Sequence, residues 1–224
     1  MTRVIAGLFA AGAIALLSSR NGIATELEPK CVRDSPERRG EIGCSYIADI
    51  PLAGPLKEPL YWHIDRFDSG ADAQSAALPN AVAFQAHGAW WLMTIESSVT
   101  EHHGGTHVIS VLLPQLPPAP RYSMLVISAY IPVGMTSRVH HHSGVEAFYT
   151  VDGEQCLETP TGAHRIPKSS SLAVPAGVTM RLVAIGEKPR RGFAVVIYDA
   201  SQPPTTPTEE LAPQLVLCSA NAAR

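Results

Sequence analysis

Apolar residues along this chain follow the spacing of strands more than of helices. Short apolar runs broken by Gly and Pro recur from Tyr61 onward, and long 3.6-residue periods are scarce. Tyr61-Trp-His-Ile-Asp-Arg-Phe67 predicts a strand. Ser69-Gly-Ala-Asp72 has the spacing of a helix start, so the best short helix covers Ala71–Leu78 and stops at Pro79. Strands are expected over Ala81–Gln85, Ala89–Glu96 and Thr106–Leu113. Leu113–Pro120 holds several prolines, which fix φ and remove donors, and reads as a stiff connector. Tyr122–Val133 predicts a long strand ending at Gly134. Gly144–Val151 and Gln155–Glu158 read as a hairpin about Asp152-Gly153, a strong turn dipeptide. Leu172–Val174, Pro175-Ala-Gly177 and Val178–Ile185 make strand, turn, strand, and Phe193–Asp199 closes the series. The Pro/Thr-rich Ser201–Thr208 is expected to run over the surface. Trp90-Trp91 lies within a strand, so one ring should face the core and the other the opposite side, under a sheet or a subunit partner.

The first residues read as an export signal. Arg3 supplies a positive start, Val4–Leu17 is apolar and uncharged, and Gly22-Ile-Ala24 places small residues at a cleavage point. The apolar run is shorter than the roughly 20 residues that span a bilayer. Residues 1–24 are therefore expected to be a signal peptide, residues 25–120 a set of N-terminal strands, 121–200 the core and 201–224 a Pro-rich tail. The expected location is periplasmic or secreted, with no stable membrane insertion after signal removal. The net charge of −3 becomes −5 without Arg3 and Arg20, and there is no basic block, so nucleic acid is excluded as a partner. The 4 cysteines are Cys31, Cys44, Cys156 and Cys218. In an exported protein they form disulfides, with Cys31–Cys44 the local pairing and Cys156–Cys218 tying the tail down, or some remain buried thiols.

The chemistry concentrates in Gly134-Met-Thr-Ser-Arg-Val-His140-His-His142-Ser-Gly-Val-Glu146-Ala-Phe-Tyr-Thr-Val-Asp-Gly153. On a strand His140 and His142 share a face and His141 points away. Ser143-Gly144 lets the chain reverse and bring Glu146 to the same face. Two imidazoles and a carboxylate suit one divalent transition metal, and the donor types alone do not choose among Fe, Mn, Ni, Zn and Cu. Phe148 shares the inward parity of Glu146 and would wall a pocket. Arg138 either receives an anionic substrate at the mouth or lies on the surface.

This run resembles the first conserved motif of the cupin superfamily, glycine-x5-His-x-His-x3-Glu-x6-glycine, and matches it at every fixed position. The second motif, glycine-x5-Pro-x-Gly-x2-His-x3-Asn, is half present: Pro175 and Gly177 stand in place, but its histidine is Met180, its asparagine Ala184 and its leading glycine Ser169. The resemblance covers Tyr122 to Asp199. It implies an all-β fold, an antiparallel double-sheet jelly-roll barrel, here with an N-terminal strand extension and one short helix. It also implies metal ligands at His140, His142 and Glu146, a small organic molecule in the barrel, and pairing as a homodimer through sheet edges. Met180 is then a packing residue of the pocket wall or a fourth, soft ligand. His63, His87 and His164 are alternative sources of a fourth ligand, and Glu101–His107 is a solvated hairpin tip, or else lies over the barrel mouth or binds metal loosely. Three functions are open: a metal-dependent enzyme, with dioxygenase-like chemistry the commonest in the family, a non-catalytic module that binds, stores or senses a ligand or metal, and a structural sheet protein with no metal. No residue is singled out as a catalytic acid or base.

Overall fold

The computed structural model describes residues 31–33, 43–98 and 104–218. The expected signal peptide and Glu101–His103 lie outside the described residues. In chain order the elements are β1 (Cys31–Arg33), β2 (Gly43–Pro51), β3 (Tyr61–Phe67), α1 (Gly70–Ser75), β4 (Ala81–Ala86), β5 (Ala89–Glu96), β6 (Thr106–Leu112), β7 (Tyr122–Ile131), β8 (His140–His142), β9 (Val145–Asp152), β10 (Glu154–Thr159), β11 (Gly162–Pro167), β12 (Ser171–Val174), β13 (Arg181–Ile185), β14 (Arg190–Asp199) and β15 (Thr205–Pro207), followed by a 3-10 turn over Glu209–Gln214.

The strands form a six-stranded sheet (β1-β2-β7-β14-β9-β12), a three-stranded sheet (β11-β10-β13), a four-stranded sheet (β4-β5-β3-β6) and the pair β15-β8. Pairing is antiparallel except between β1 and β2. The fold is all-β, with the six- and three-stranded sheets facing each other as a jelly-roll barrel. The sequence pattern explains the layering. Along β9, Val145, Ala147 and Tyr149 point to one side of the six-stranded sheet and Glu146 and Phe148 to the other. The first set packs with Val195 and Ile197 of β14 and with Trp62, Ile64 and Met93 of the four-stranded sheet. The second set faces the three-stranded sheet, where Phe148 and Ala194 meet Leu157 and Ile166. β1 and β2 extend the barrel sheet, while β3–β6 form their own sheet stacked on its outer side.

The helix is shorter than the expected Ala71–Leu78. Ser69 caps it as the spacing predicts, accepting the Asp72 amide at 3.1 Å. α1 covers the outer face of the four-stranded sheet. There Trp90 packs with Phe67, Leu92 and Ala73 while Trp91 enters the main core. A Cβ at Gly70 would lie 2.6 Å from the Trp90 ring, so glycine lets the helix start sit on the indole. The outward tryptophan is thus covered by the chain's own helix.

The C-terminal tail runs over the surface as expected, with Ser201–Pro203, Thr206 and Pro207 exposed, and within it Thr205–Pro207 forms strand β15, antiparallel to β8. Beyond it the Cys156–Cys218 disulfide fastens the tail to β10, assisted by the Cys218 amide donating to Glu158 at 2.7 Å. Cys44, whose register partner is Cys31, is disulfide-bonded too, and no cysteine is free among the described residues. Closing a loop of 62 residues is worth about 4 kcal/mol on the chain-entropy account.

Candidate metal centre

Glycines set the local path of the motif. Gly134 and Gly153 adopt φ of +87° and +72°, which only glycine takes without strain; a Cβ on Gly153 would also lie 2.5 Å from the Pro189 carbonyl oxygen. Gly144 serves differently. A Cβ there would overlap the carbonyl oxygen of Ile197, so its absence lets the turn after β8 lie directly on β14 and deliver Glu146 beneath the two histidines.

The donor atoms of His140, His142 and Glu146 lie within 4.8 Å of one another. His142 and Glu146 are buried, at 3% and 4% exposure, and His140 is half-buried. The imidazole rings meet edge to face, with centroids 4.9 Å apart. Each ring is oriented by a backbone carbonyl: Nδ1 of His140 donates to Arg138 at 2.7 Å, and Nδ1 of His142 donates to Pro204 at 2.7 Å. A carbonyl only accepts, so in the neutral ring the proton sits on Nδ1 and Nε2 carries a bare lone pair. Nε2 of His142 comes within 3.0 Å of Oε2 of Glu146, and neither atom has any other partner among the described residues. Two buried lone pairs facing each other at that distance call for a cation between them, either a proton or a metal.

The electrostatics agree. Burial opposes a charge on His142, but the Glu146 carboxylate, through its charge and a hydrogen bond to the protonated ring, and the Pro204 carbonyl outweigh it and hold the ring above the ordinary histidine value. For His140, burial and the neighbouring His142 push the value down despite Glu146. The donor set fits a divalent transition metal: two neutral imidazoles with Nδ1 fixed by outer partners, and one carboxylate.

The three donors line one cavity of about 500 Å³ between the two barrel sheets. Phe148 and Arg138 line it as well, the former fully buried and the latter exposed. Met180 does not line it. Its backbone bridges to His140, and its side chain packs with Phe148, Leu157 and Ile166. Ala184, in place of the second motif's asparagine, is in the wall. His63 and His107 belong to a chain of contacts on the outer face of the four-stranded sheet. Ser110 Oγ lies 2.9 Å from His63 and 3.0 Å from His107, and His107 lies 2.9 Å from Asp65. His87 turns against Phe193 and Gly192, and His164 is exposed on β11. Among the described residues the metal-type cluster is His140, His142 and Glu146.

Three further groups escaped the sequence reading. Pro204 orients His142 through its main chain, which no residue type announces. Arg190 and Gln155 are buried in the cavity wall, at 5% and 1% exposure. Each is an isolated polar residue at a strand position, and inward parity on a correctly placed strand was the signal that could have found them.

No family model and no curated protein matches the chain. Solved structures with partial similarity include a cupin-like protein of Thermotoga maritima, 12% identical over 39% of this chain and 64% of that one, with a TM-score of 0.34. The DMSP lyase DddQ of Ruegeria pomeroyi is 15% identical over 38% of this chain and 43% of that one, TM-score 0.34. An oxalate decarboxylase variant of Bacillus subtilis is 14% identical over 42% of this chain and 29% of that one, TM-score 0.34. The matched stretch spans less than two thirds of each of these three chains.

Proposed function

We propose that this protein holds one divalent transition metal on His140, His142 and Glu146, and that a small organic molecule binds beside it in the barrel cavity. The observation that carries this reading is the convergence of three donors, with His142 Nε2 and Glu146 Oε2 buried 3.0 Å apart and neither given another partner. A metal bound there would supply Lewis acidity or, with a redox-active ion, the oxygen-activating chemistry of a dioxygenase-like enzyme. The chain's own contribution is to fix the tautomer of both rings, exclude bulk water from Glu146 and wall the ligand with Phe148. The disulfides support a periplasmic or secreted protein, since such bonds persist in oxidising compartments.

The cavity wall also favours a non-catalytic reading. Apart from the proposed ligands, its ionisable side chains are Tyr46, Arg138 and Arg190, with Cys44 held in a disulfide. Burial raises the Tyr46 value above that of a free phenol, so it stays neutral. No second carboxylate or imidazole remains among the described lining residues to act as general base.

Elemental analysis of protein purified from its own compartment tests the metal reading. About one equivalent in the wild type, lost in His140→Ala and Glu146→Ala, is the expected result; less than about a tenth of an equivalent in the wild type contradicts it. With metal present, dioxygen uptake on phenols, thiols and keto acids separates the enzyme from the binding module.

A further inference from the structure

The proposed metal ligands account for only part of the cavity's polar wall. The side chain of Arg190, at the start of β14, makes no hydrogen bond or ion pair with any described residue, and its Nε is buried without a partner. Its guanidinium lies along the backbone of Gly192, where a Cβ would come within 3.3 Å of both Nε and Nη2. The register shift between Arg191 and Gly192 sets this part of β14 against β9. Burial pushes the Arg190 value down to about 10, with the Glu146 charge opposing, so the group is still a cation at neutral pH. A buried cation costs several kcal/mol unless an anion meets it. Glu146 is the charge it feels, yet no ion pair joins them, and a metal on Glu146 would claim that carboxylate.

Gln155, on β10 in the facing sheet, leaves both side-chain amide atoms buried and unpartnered. Native interiors rarely orphan such groups, and two of them on one cavity wall point to a polar ligand group. The rest of the wall near these positions is apolar, including Ile127, Ile131, Phe148 and Leu182. The volume of about 500 Å³ lies in the range of small-molecule sites.

We infer that the cavity takes a small carboxylic acid with an apolar body. Its carboxylate accepts hydrogen bonds from the Arg190 guanidinium and the Gln155 amide, and its body lies against Ile127, Ile131, Phe148 and Leu182. A planar guanidinium offers paired donors in the geometry of a carboxylate, and such charge-assisted pairs are the strong ones. The inference rests on reading the cavity as a small-molecule site, but its test does not require the metal.

Calorimetric titration of EDTA-treated protein with 3-phenylpropionate and hexanoate, with their primary amides and with inorganic phosphate, decides it. The acids are expected to bind the wild type, and the amides and phosphate to bind about tenfold more weakly or worse. Arg190→Met should weaken the acids by about tenfold or more, Arg190→Lys by less, because it keeps the charge without the fork, and Gln155→Leu by a smaller factor. The thermal midpoint of Arg190→Met should equal or exceed that of the wild type, since it removes an unpaired buried charge. If Arg190→Met does not fold, Arg190→Lys and the acid–amide comparison in the wild type still decide. The metal content of the EDTA-treated wild type is measured on the same sample, and acid binding that persists after metal removal is the expected result. Wild type that carries no metal as purified from its own compartment, before EDTA, but still binds the acids sinks only the metal reading. Failure of the acids to bind, equal binding of acids and amides, tighter binding of phosphate, or unchanged binding by Arg190→Met overturns the inference.

Discussion

The carbonyl oxygen of Pro204 accepts a 2.7 Å hydrogen bond from Nδ1 of His142, across 62 residues of sequence. This one contact makes the Pro/Thr-rich tail part of the candidate metal centre. It also leaves Nε2 of His142 bare towards Glu146. Metal-bound histidines are commonly oriented in this way, and losing the outer partner typically costs 10–100-fold, in order of magnitude, in metal affinity.

The tautomer is directly observable. Long-range 15N–1H correlation spectra of metal-free protein at pH 8 to 9 should show His140 protonated at Nδ1, and His142 likewise once its raised value is passed. An Nε2-protonated neutral ring at either position contradicts the assignment of lone pairs.

Met180→His, which restores only the histidine of the second cupin motif, should not tighten metal binding. The Met180 side chain packs with Phe148, Leu157 and Ile166 rather than lining the cavity. An imidazole among those side chains has no partner there, and the expected cost is about 1–3 kcal/mol. Thermal denaturation and zinc titration of the variant check both halves: a lower midpoint with unchanged affinity is expected.

Gly144→Ala should damage fold and site together. The added methyl overlaps the Ile197 carbonyl on a central strand, so the turn after β8 must move away from β14. The expected loss is about 2–4 kcal/mol, with metal uptake reduced because Glu146 follows two residues later. A variant with wild-type stability and uptake would show that this close approach is not required.

The convergence of His140, His142 and Glu146 was legible because all three come from one short stretch in which strand parity and a turn decide direction. The hairpin at Asp152-Gly153 and the strand Ala89–Glu96 were legible for the same local reason. The stacking of sheets was not. β3 is buried on both faces, and His63 and Asp65 alternate with Trp62 and Ile64 as the pattern of a half-exposed strand would. In fact Trp62 and Ile64 meet the barrel sheet, while the polar pair joins Ser110 and His107 on the far side. β15 was missed because pairing with β8 uses backbone groups of a segment whose prolines read as loop. Arg190 was missed because it lies far from the motif in sequence and reaches the cavity only through the β7-β14-β9 pairing.

His87 makes stability depend on pH in the acid range. Burial, aided by Arg190 and Arg191, lowers it to about 4, while the Gly192 carbonyl opposes. The unfolded chain therefore binds a proton that the folded one refuses. The stability due to this group is complete above about pH 6.5 and is lost as pH falls towards 4. The full shift corresponds to at most about 3 kcal/mol, less whatever solvent screening removes. His87→Asn, which tolerates the φ of +50°, should flatten the unfolding free energy between pH 6.5 and 4 relative to the wild type. Parallel pH profiles for the two proteins would contradict this role.

Anomalous diffraction from crystals grown with zinc or cobalt tests the central claim most directly. The account predicts one strong peak at bonding distance, about 2.0–2.2 Å, from Nε2 of His140, Nε2 of His142 and a carboxylate oxygen of Glu146. A peak elsewhere, or none at this site at saturating metal, would contradict it.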